Sequence, residues 1–419
     1  MRHLWRRTLS FPPAVRLLMA NQFLINLAFY MLMPYLAAHL AGELGLAAWA
    51  VGLVLGVRNF SQQGMFLIGG TLADRVGYKI PIMAGCLLRT AGFGLLGWVG
   101  DLPTLVAASA ATGFAGALFN PAVRAYLAAE AGPRRVEAFA VFNVFYQAGM
   151  LLGPPVGLAL LVADFRLVCG VAAAVFALLT ALQWRCLPAR RAERAASATG
   201  RAGVLSDWRT VVANRPFLLF ATAMTGSYVL SFQVYLALPL AASEVLGSGG
   251  TAVTSGLFVV SAAVSAAGQL RLTGWAGQRW RPDQALVRGL SAMGLAFLPP
   301  ALVPAGSAPA ALGALLLSVV LLAVGGAIVY PFEMDTVVTL SGDRLVATHY
   351  GFYNTVSGIG ITIGNLGTGA LWGFAGQHGA RWLAWSALAV TGLGCAACVG
   401  RLARTGRLTV RPGARPVTV

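Results

Sequence analysis

The feature that most constrains this chain is a succession of apolar runs, each close to the length a helix needs to cross a bilayer and parted from the next by a few charged or turn-forming residues. A spanning helix takes about 20 residues. The runs lie at about 15–40, 48–72, 80–99, 103–129, 137–162, 166–187, 216–241, 252–275, 284–304, 309–339, 346–374 and 380–402. Charged residues make up only 10% of the chain, hydrophobic ones 58%, and mean hydropathy is +0.75. A soluble surface needs about 25% charged residues, so a set of soluble domains is excluded. Strict alternation of polar and apolar residues is absent, so the spans are helices and not barrel strands. The expected fold class is an all-α integral membrane protein with twelve transmembrane helices.

The formal charge of +17 could suggest a nucleic-acid partner, but the basic residues recur on alternate loops. Connections at 41–47, 100–103, 163–165, 242–251, 305–308 and 375–379 contain no Lys or Arg. The others carry Arg2, Arg6, Arg7 and Arg16, then Arg75 and Lys79, Arg134 and Arg135, and Arg190, Arg191, Arg194, Arg201 and Arg209. Arg279, Arg281, Arg344, Arg404, Arg407, Arg411 and Arg415 follow. By the positive-inside rule these mark the cytoplasmic face, with both termini cytoplasmic in a plasma or inner membrane. The bilayer is therefore the partner of the charge pattern, and no nucleic acid is expected. The apolar run after Arg16 is about twice a signal peptide's hydrophobic region, so it reads as the first span.

The Ala-, Arg- and Ser-rich stretch 188–215 divides the spans six and six, giving an N-terminal half at 1–187, a linker, a C-terminal half at 216–402 and a tail at 403–419. Three features repeat at an offset of 210 or 211 residues. Asn120-Pro121 returns as Tyr330-Pro331, Phe142-Asn143-Val144 as Tyr353-Asn354-Thr355, and Gly149-x-x-x-Gly153 as Gly360-x-x-x-Gly364. Such repetition points to two pseudo-symmetric six-helix halves.

Chemistry-bearing motifs are few. Cys86, Cys169, Cys186, Cys395 and Cys398 lie in or beside apolar segments, so no disulfide framework is expected, and the Cys395-x-x-Cys398 pair reads as helix packing. His3, His39, His349 and His378 form no metal-binding helix motif, and no G-x-x-x-x-G-K-[ST] loop exists. The expectation is a protein that is not an enzyme and carries no cofactor or metal. Between the second and third spans lies a charged island, Gly69 to Lys79, whose Gly77 suits a turn requiring positive φ.

Residues Gly70 to Lys79 resemble the loop 2–3 signature of the major facilitator superfamily, G-x-L-A-D-R-x-G-[RK]-[RK], with Tyr78 in place of one basic residue. Gly149-Met-Leu-Leu-Gly153-Pro154-Pro155-Val-Gly157 resembles the antiporter motif of its twelve-span drug:proton antiporters. Arg58-Asn-Phe-Ser-Gln62-Gln63-Gly64 and Asp164-Phe-Arg166-Leu-Val-Cys169 are similar to the MdtH-like multidrug exporters. The chain departs from such exporters at Ser109, where span 4 usually carries arginine, and in span 1, which has Asn21, Gln22 and Asn26 but no carboxylate. The loop after span 8 lacks the signature aspartate.

The resemblance implies alternating access and proton-coupled efflux of hydrophobic or amphipathic small molecules, with protons as the coupling ion. The alternative is a symporter or facilitator for a nutrient or metabolite. It also implies a gate in which Gly70, Asp74, Arg75, Gly77 and Lys79 close the cytoplasmic side, Asp74 reaching the start of span 11 near Thr348–Gly351. Gly149, Gly153, Pro154 and Gly157 form the antiporter motif, where glycines permit close helix approach and Pro154 can bend the helix.

Superfamily cavities are lined by spans 1, 4, 7 and 10. In span 1, Gln22, Asn26 and Tyr30 share one helical face, suited to substrate or to a neighbouring helix. Tyr228, Phe232 and Tyr235 of span 7 form an aromatic face, suited to stacking on solutes or to core packing. Arg58 falls near mid-membrane, where a charge marks either a pathway or a structural guanidinium, with Gln62 one turn on. Glu333 and Asp335 are the only acid pair within a span. With Arg124 as partner they can load and release a proton, or form a plain ion pair between halves.

Overall fold

The computed structural model describes residues 2–189, 203–246, 250–303 and 307–408. Arg190, Arg191, Arg194 and Arg201 of the linker, and Arg411 and Arg415 of the tail, lie outside the described residues. So do parts of the connections expected at 242–251 and 305–308.

Every regular element among the described residues is helical. In chain order they are α1 (Arg2–Leu9), α2 (Pro13–Gly42), α3 (Ala48–Val76), α4 (Lys79–Trp98), α5 (Leu102–Ala131), α6 (Arg135–Leu161), α7 (Phe165–Cys186) and α8 (Val204–Ala213). Then follow α9 (Arg215–Phe232), α10 (Ala237–Leu246), α11 (Gly250–Arg279), α12 (Pro282–Leu295), α13 (Leu298–Leu302), α14 (Ala308–Ser341), α15 (Val346–Gln377) and α16 (Trp382–Arg404). Nine helical stretches among the described residues are long and apolar enough to cross a membrane. One of these, Leu102–Leu161, is 60 residues long and contains both α5 and α6, which turn back on one another at Gly132–Arg134. The chain is a multi-pass membrane protein.

Helix starts are set by side chains that satisfy orphan amides. Asp101 accepts from the Thr104 amide, Asp164 from Arg166 and Asn214 from Phe217. Gly77, at φ +89°, makes the reversal between α3 and α4 in a conformation a side chain would oppose.

Two expected spans are interrupted. The run 216–241 breaks into α9 and α10 around a 3-10 turn, Gln233–Tyr235, because Pro239 lacks the amide that would bond the Tyr235 carbonyl one turn earlier. The run 284–304 breaks into α12 and α13, where Pro299 and Pro300 occupy the first turn of the new helix. The stretch between the sixth and seventh runs also contains a helix, α8, which was expected only as linker.

The helices pack as two groups. In the first, α2 lies on α6, α3 on α5, and α4 on α5 and α7; in the second, α9 lies on α15, and α12 on α14 and α16. The groups meet where α3 packs on α15 and α6 on α11. The glycines that recur in the sequence lie at helix contacts. A Cβ at Gly149 or Gly153 would overlap α2 at Phe23 or Tyr30, and one at Gly360 or Gly364 would overlap α9 at Thr225 or Val229. These approaches replace a hydrophobic drive that lipid does not supply. Gly157 makes the closest approach to backbone in the series, since its Cβ would strike the Met31 carbonyl. Gly157→Ala is expected to cost about 1–3 kcal/mol by overpacking, read as a lower unfolding midpoint in detergent, whereas Gly94→Ala, which faces open space, should leave it unchanged.

Candidate functional site

Between the two groups lies a cavity of about 300 Å³, at the lower end of the sizes that hold small ligands. Its wall takes Gln22 from α2, Asn120 and Arg124 from α5, and Asn143, Tyr146 and Gln147 from α6. Ser227, Tyr228, Ser231 and Phe232 come from α9, Tyr235 from the turn, and Tyr330 and Glu333 from α14. Amides and hydroxyls alternate here with aromatic rings, so the wall can both hydrogen-bond and stack a solute.

Glu333 is the buried acid of this wall. The Tyr353 hydroxyl donates to its Oε1 in a short bond, and the Tyr228 hydroxyl reaches the same carboxyl. The two tyrosine rings stand 5.9 Å apart, edge to face, and Phe220 stacks beyond Tyr353 at 6.3 Å. Arg124 shares the cavity with Glu333, but its Nη1 donates to Asn354 Oδ1 at 2.9 Å. Asp335 faces elsewhere: Arg135 on α6 holds it at 2.9 Å and binds Asp343 at the same distance. Of the expected acid pair, the structure therefore puts Glu333 in the cavity and Asp335 in an ion pair between the groups.

The span 1 stripe divides. Gln22 lines the cavity. Asn26 donates back to the Gln22 carbonyl at 2.6 Å and packs where a Cβ on Gly149 would meet it, so it serves the α2–α6 contact. Tyr30 lies one layer behind the wall, its hydroxyl 3.3 Å from that of Tyr146. Arg58 and Gln62 are not in the wall. Arg58 donates to Asn59 at 2.8 Å and to Gln62 at 2.9 Å and lies over the Phe29 ring at 4.5 Å, inside the first group. In contrast, Tyr228, Phe232 and Tyr235 all line the cavity.

Contacts between the groups concentrate at the end of the bundle bearing Asp74. Asp74 lies past the apolar part of α3 and accepts from the Ala347 amide at 3.2 Å, the Thr348 amide at 2.7 Å and the Thr348 hydroxyl at 2.7 Å. These are the free amides of the α15 N-terminus, where the helix dipole favours an anion. Burial pushes the Asp74 carboxyl up to about 6, so the three donors keep it ionised near neutrality. Arg75 on the next residue turns to Asp207 of α8 at 2.6 Å, and Trp208 donates to Thr71 at 2.9 Å. Lys79 donates to the Trp184 carbonyl at 2.7 Å, and a Cβ on Gly70 would run into the Ala347 carbonyl.

Asp74→Asn should remove about 2–3 kcal/mol of charge-assisted bonding. The parted form of this end should then gain roughly 30- to 150-fold over the closed one. Spin labels at the exposed Val76 and Arg344 should report the longer distance, and an unchanged distance distribution would show that the carboxylate does not hold the groups together.

Several wall residues escaped the sequence reading. Tyr146 and Gln147 sit within a turn of Gly149, while Asn120 and Tyr330 were visible only as repeat markers. Their polarity inside apolar runs was the available signal. Asn143 and Asn354, also repeat partners, each bond across to the opposite group, Asn143 Nδ2 donating to Gln269 Oε1 at 2.7 Å and Asn354 accepting from Arg124.

A family model described as Major Facilitator Superfamily matches residues 18–365. The chain is 56% identical over 390 residues to an uncharacterized MFS-type transporter of Mycobacterium tuberculosis (strain ATCC 25618 / H37Rv), covering 92% of each. It is 30% identical over 376 residues to multidrug resistance protein MdtH of Enterobacter sp. (strain 638), covering 90% of each. Its fold is similar to that of the Escherichia coli fucose:proton symporter FucP, with a TM-score of 0.75 at 15% identity, over 93% of this chain and 98% of that one.

Proposed function

The chain belongs to the major facilitator superfamily and is a secondary active transporter, a carrier and not an enzyme; from that premise we propose that it moves a small, hydrogen-bonding organic solute by alternating access, coupled to protonation of Glu333. The observation that carries this reading is the placement of Glu333, a buried carboxyl in the cavity wall held by tyrosine hydroxyls with Arg124 in the same wall. A solute in the cavity competes for those hydroxyls and for Arg124, which changes the carboxyl's hold on its proton.

The reading includes twelve crossings in two six-helix halves. The nine long apolar stretches reach that number when α5 and α6 are separated and the more polar α3 and α15, of 29 and 32 residues, are counted. The end bearing Asp74 is the cytoplasmic one, as the positive-inside rule requires, and both termini lie there. Gly70, Asp74, Arg75, Gly77 and Lys79 act as its gate.

Two directions of transport have support. The amide- and hydroxyl-rich wall suits a polar nutrient or metabolite entering with protons. The resemblance to MdtH, a multidrug resistance protein, supports exchange of an amphipathic molecule against protons, with Gly149, Gly153, Pro154 and Gly157 holding α6 against α2. Proteoliposomes with an imposed pH gradient test both: symport concentrates a solute on the side to which protons run, exchange on the opposite side. Solute fluxes indifferent to collapse of the gradient would overturn proton coupling.

A further inference from the structure

The cavity between the two groups carries two charged side chains, Glu333 and Arg124, and they meet it differently. Glu333 is 3% exposed, and its carboxyl already accepts from the Tyr353 and Tyr228 hydroxyls. Arg124 is half-buried. Its Nη1 donates to Asn354 Oδ1 at 2.9 Å, and Tyr330 supplies a second contact. No ion pair to Arg124 occurs among the described residues. Asn120, one turn before Arg124 on α5, lines the same wall. A guanidinium has five donors in a fixed fork, so Arg124 keeps donors for a solute.

An accessible guanidinium among aromatic rings and hydroxyls favours a planar anionic group, which its fork can bind through two parallel bonds. A cation has no comparable partner, because the acid of this wall is buried and already engaged by tyrosines. An anion also supplies the link to protons. It brings a second carboxylate to a wall that already holds Glu333, and two carboxylates sharing one site do not both stay charged. The other titratable groups facing Glu333 and Arg124 from the packed helices are tyrosines: Tyr146 of α6, Tyr228 of α9, Tyr330 of α14, and Tyr350 and Tyr353 of α15. Their hydroxyls are neutral near pH 7, so Glu333 is where a proton entering with the solute rests.

We propose that the solute is a small organic monocarboxylate, its anion held by Arg124 against the rings of the cavity. The volume of about 300 Å³ limits it to a molecule of modest size. Its companion proton rests on the coupling at Glu333 proposed above, whereas the hold on the carboxylate rests on Arg124 alone.

The test uses the purified full-length protein in detergent near neutral pH, titrated calorimetrically with benzoate and hexanoate, with benzamide and hexanamide as neutral counterparts and benzylammonium as a cation of like size. The carboxylates should bind saturably and about tenfold or more tighter than their amides. Repeating the titration in buffers of different ionisation heat should show proton uptake, at most about one per solute. Arg124→Gln should weaken carboxylate binding by about tenfold or more and erase the preference over the amides, while Arg407→Gln, a surface change, should keep it. Carboxylate binding without proton uptake supports the assignment to Arg124 and counts against coupling at Glu333. Absence of saturable carboxylate binding overturns the proposal, as does equal or tighter binding of the amides or of benzylammonium. A preference undiminished in Arg124→Gln overturns it too, and the wild-type ranking decides the matter if that variant does not fold.

Discussion

Replacing Glu333 with Gln should leave a carrier that still exchanges solute across the membrane but no longer accumulates it against a gradient when pH is the driving force. The change is nearly isosteric and keeps one oxygen to accept from Tyr353, so packing around the buried side chain is preserved. What is lost is the ability to exist in two charge states. With one proton moved per solute, each pH unit supports about a tenfold concentration ratio, and in the variant that ratio should fall to about one at any imposed gradient. Counterflow, in which labelled solute exchanges for unlabelled, needs no proton and should persist. A Glu333→Gln protein that still accumulates solute about tenfold per pH unit would place coupling on another group.

The second large effect is expected from a single methyl group. Gly70→Ala puts a Cβ into the Ala347 carbonyl, at the point where α3 meets α15 and one turn from the bonds of Asp74 to Ala347 and Thr348. Backbone meets backbone there, so no rotamer change relieves the clash, and the closed form of this end must part. Overpacking of this kind costs about 1–3 kcal/mol, enough to invert an equilibrium of similar size. Under the proposed alternating access, which visits the closed form in every cycle, transport should fall by about tenfold or more. The spin-label distance between Val76 and Arg344 should lengthen as in Asp74→Asn. Gly64→Ala, six residues away on the same helix with nothing within 4 Å, is the control and should transport normally.

The apolar runs made the helices legible because lipid imposes one rule on every segment that crosses it, that backbone bonds close within the helix. The recurring glycines were legible because they mark positions where helices touch, and touching positions tolerate few residue types. What could not be read was which face of each helix turns inward. Gln22 and Asn26 are one turn apart, yet one meets the cavity and the other the glycine-lined side of α6. Arg58 and Gln62 share a face that proved to look into their own group of helices. Helical spacing says which residues share a face, but tilt and neighbour choice decide what that face meets. Pro239 marks a bend in its span, and the break falls at Gln233–Tyr235 because proline acts on the turn before its own position. Glu333 and Asp335, two residues apart, necessarily point to different sides of a helix, but only the packing assigns one to the cavity and the other to Arg135.

Helix α8 attaches the connecting segment to the same turn of α3 that meets α15. Thr71, Asp74 and Arg75 sit on one turn of α3, yet they are held by separate bodies, Asp74 by α15 and the other two by Trp208 and Asp207 of α8. An exposed pair such as Arg75 and Asp207 adds little to the resting balance. Because all three residues move as one turn, however, parting the bundle strains both attachments together, and their strengths do not simply add. Helix α8, in the stretch that ties the two groups covalently, is thus also bonded to the same turn of α3 that meets α15.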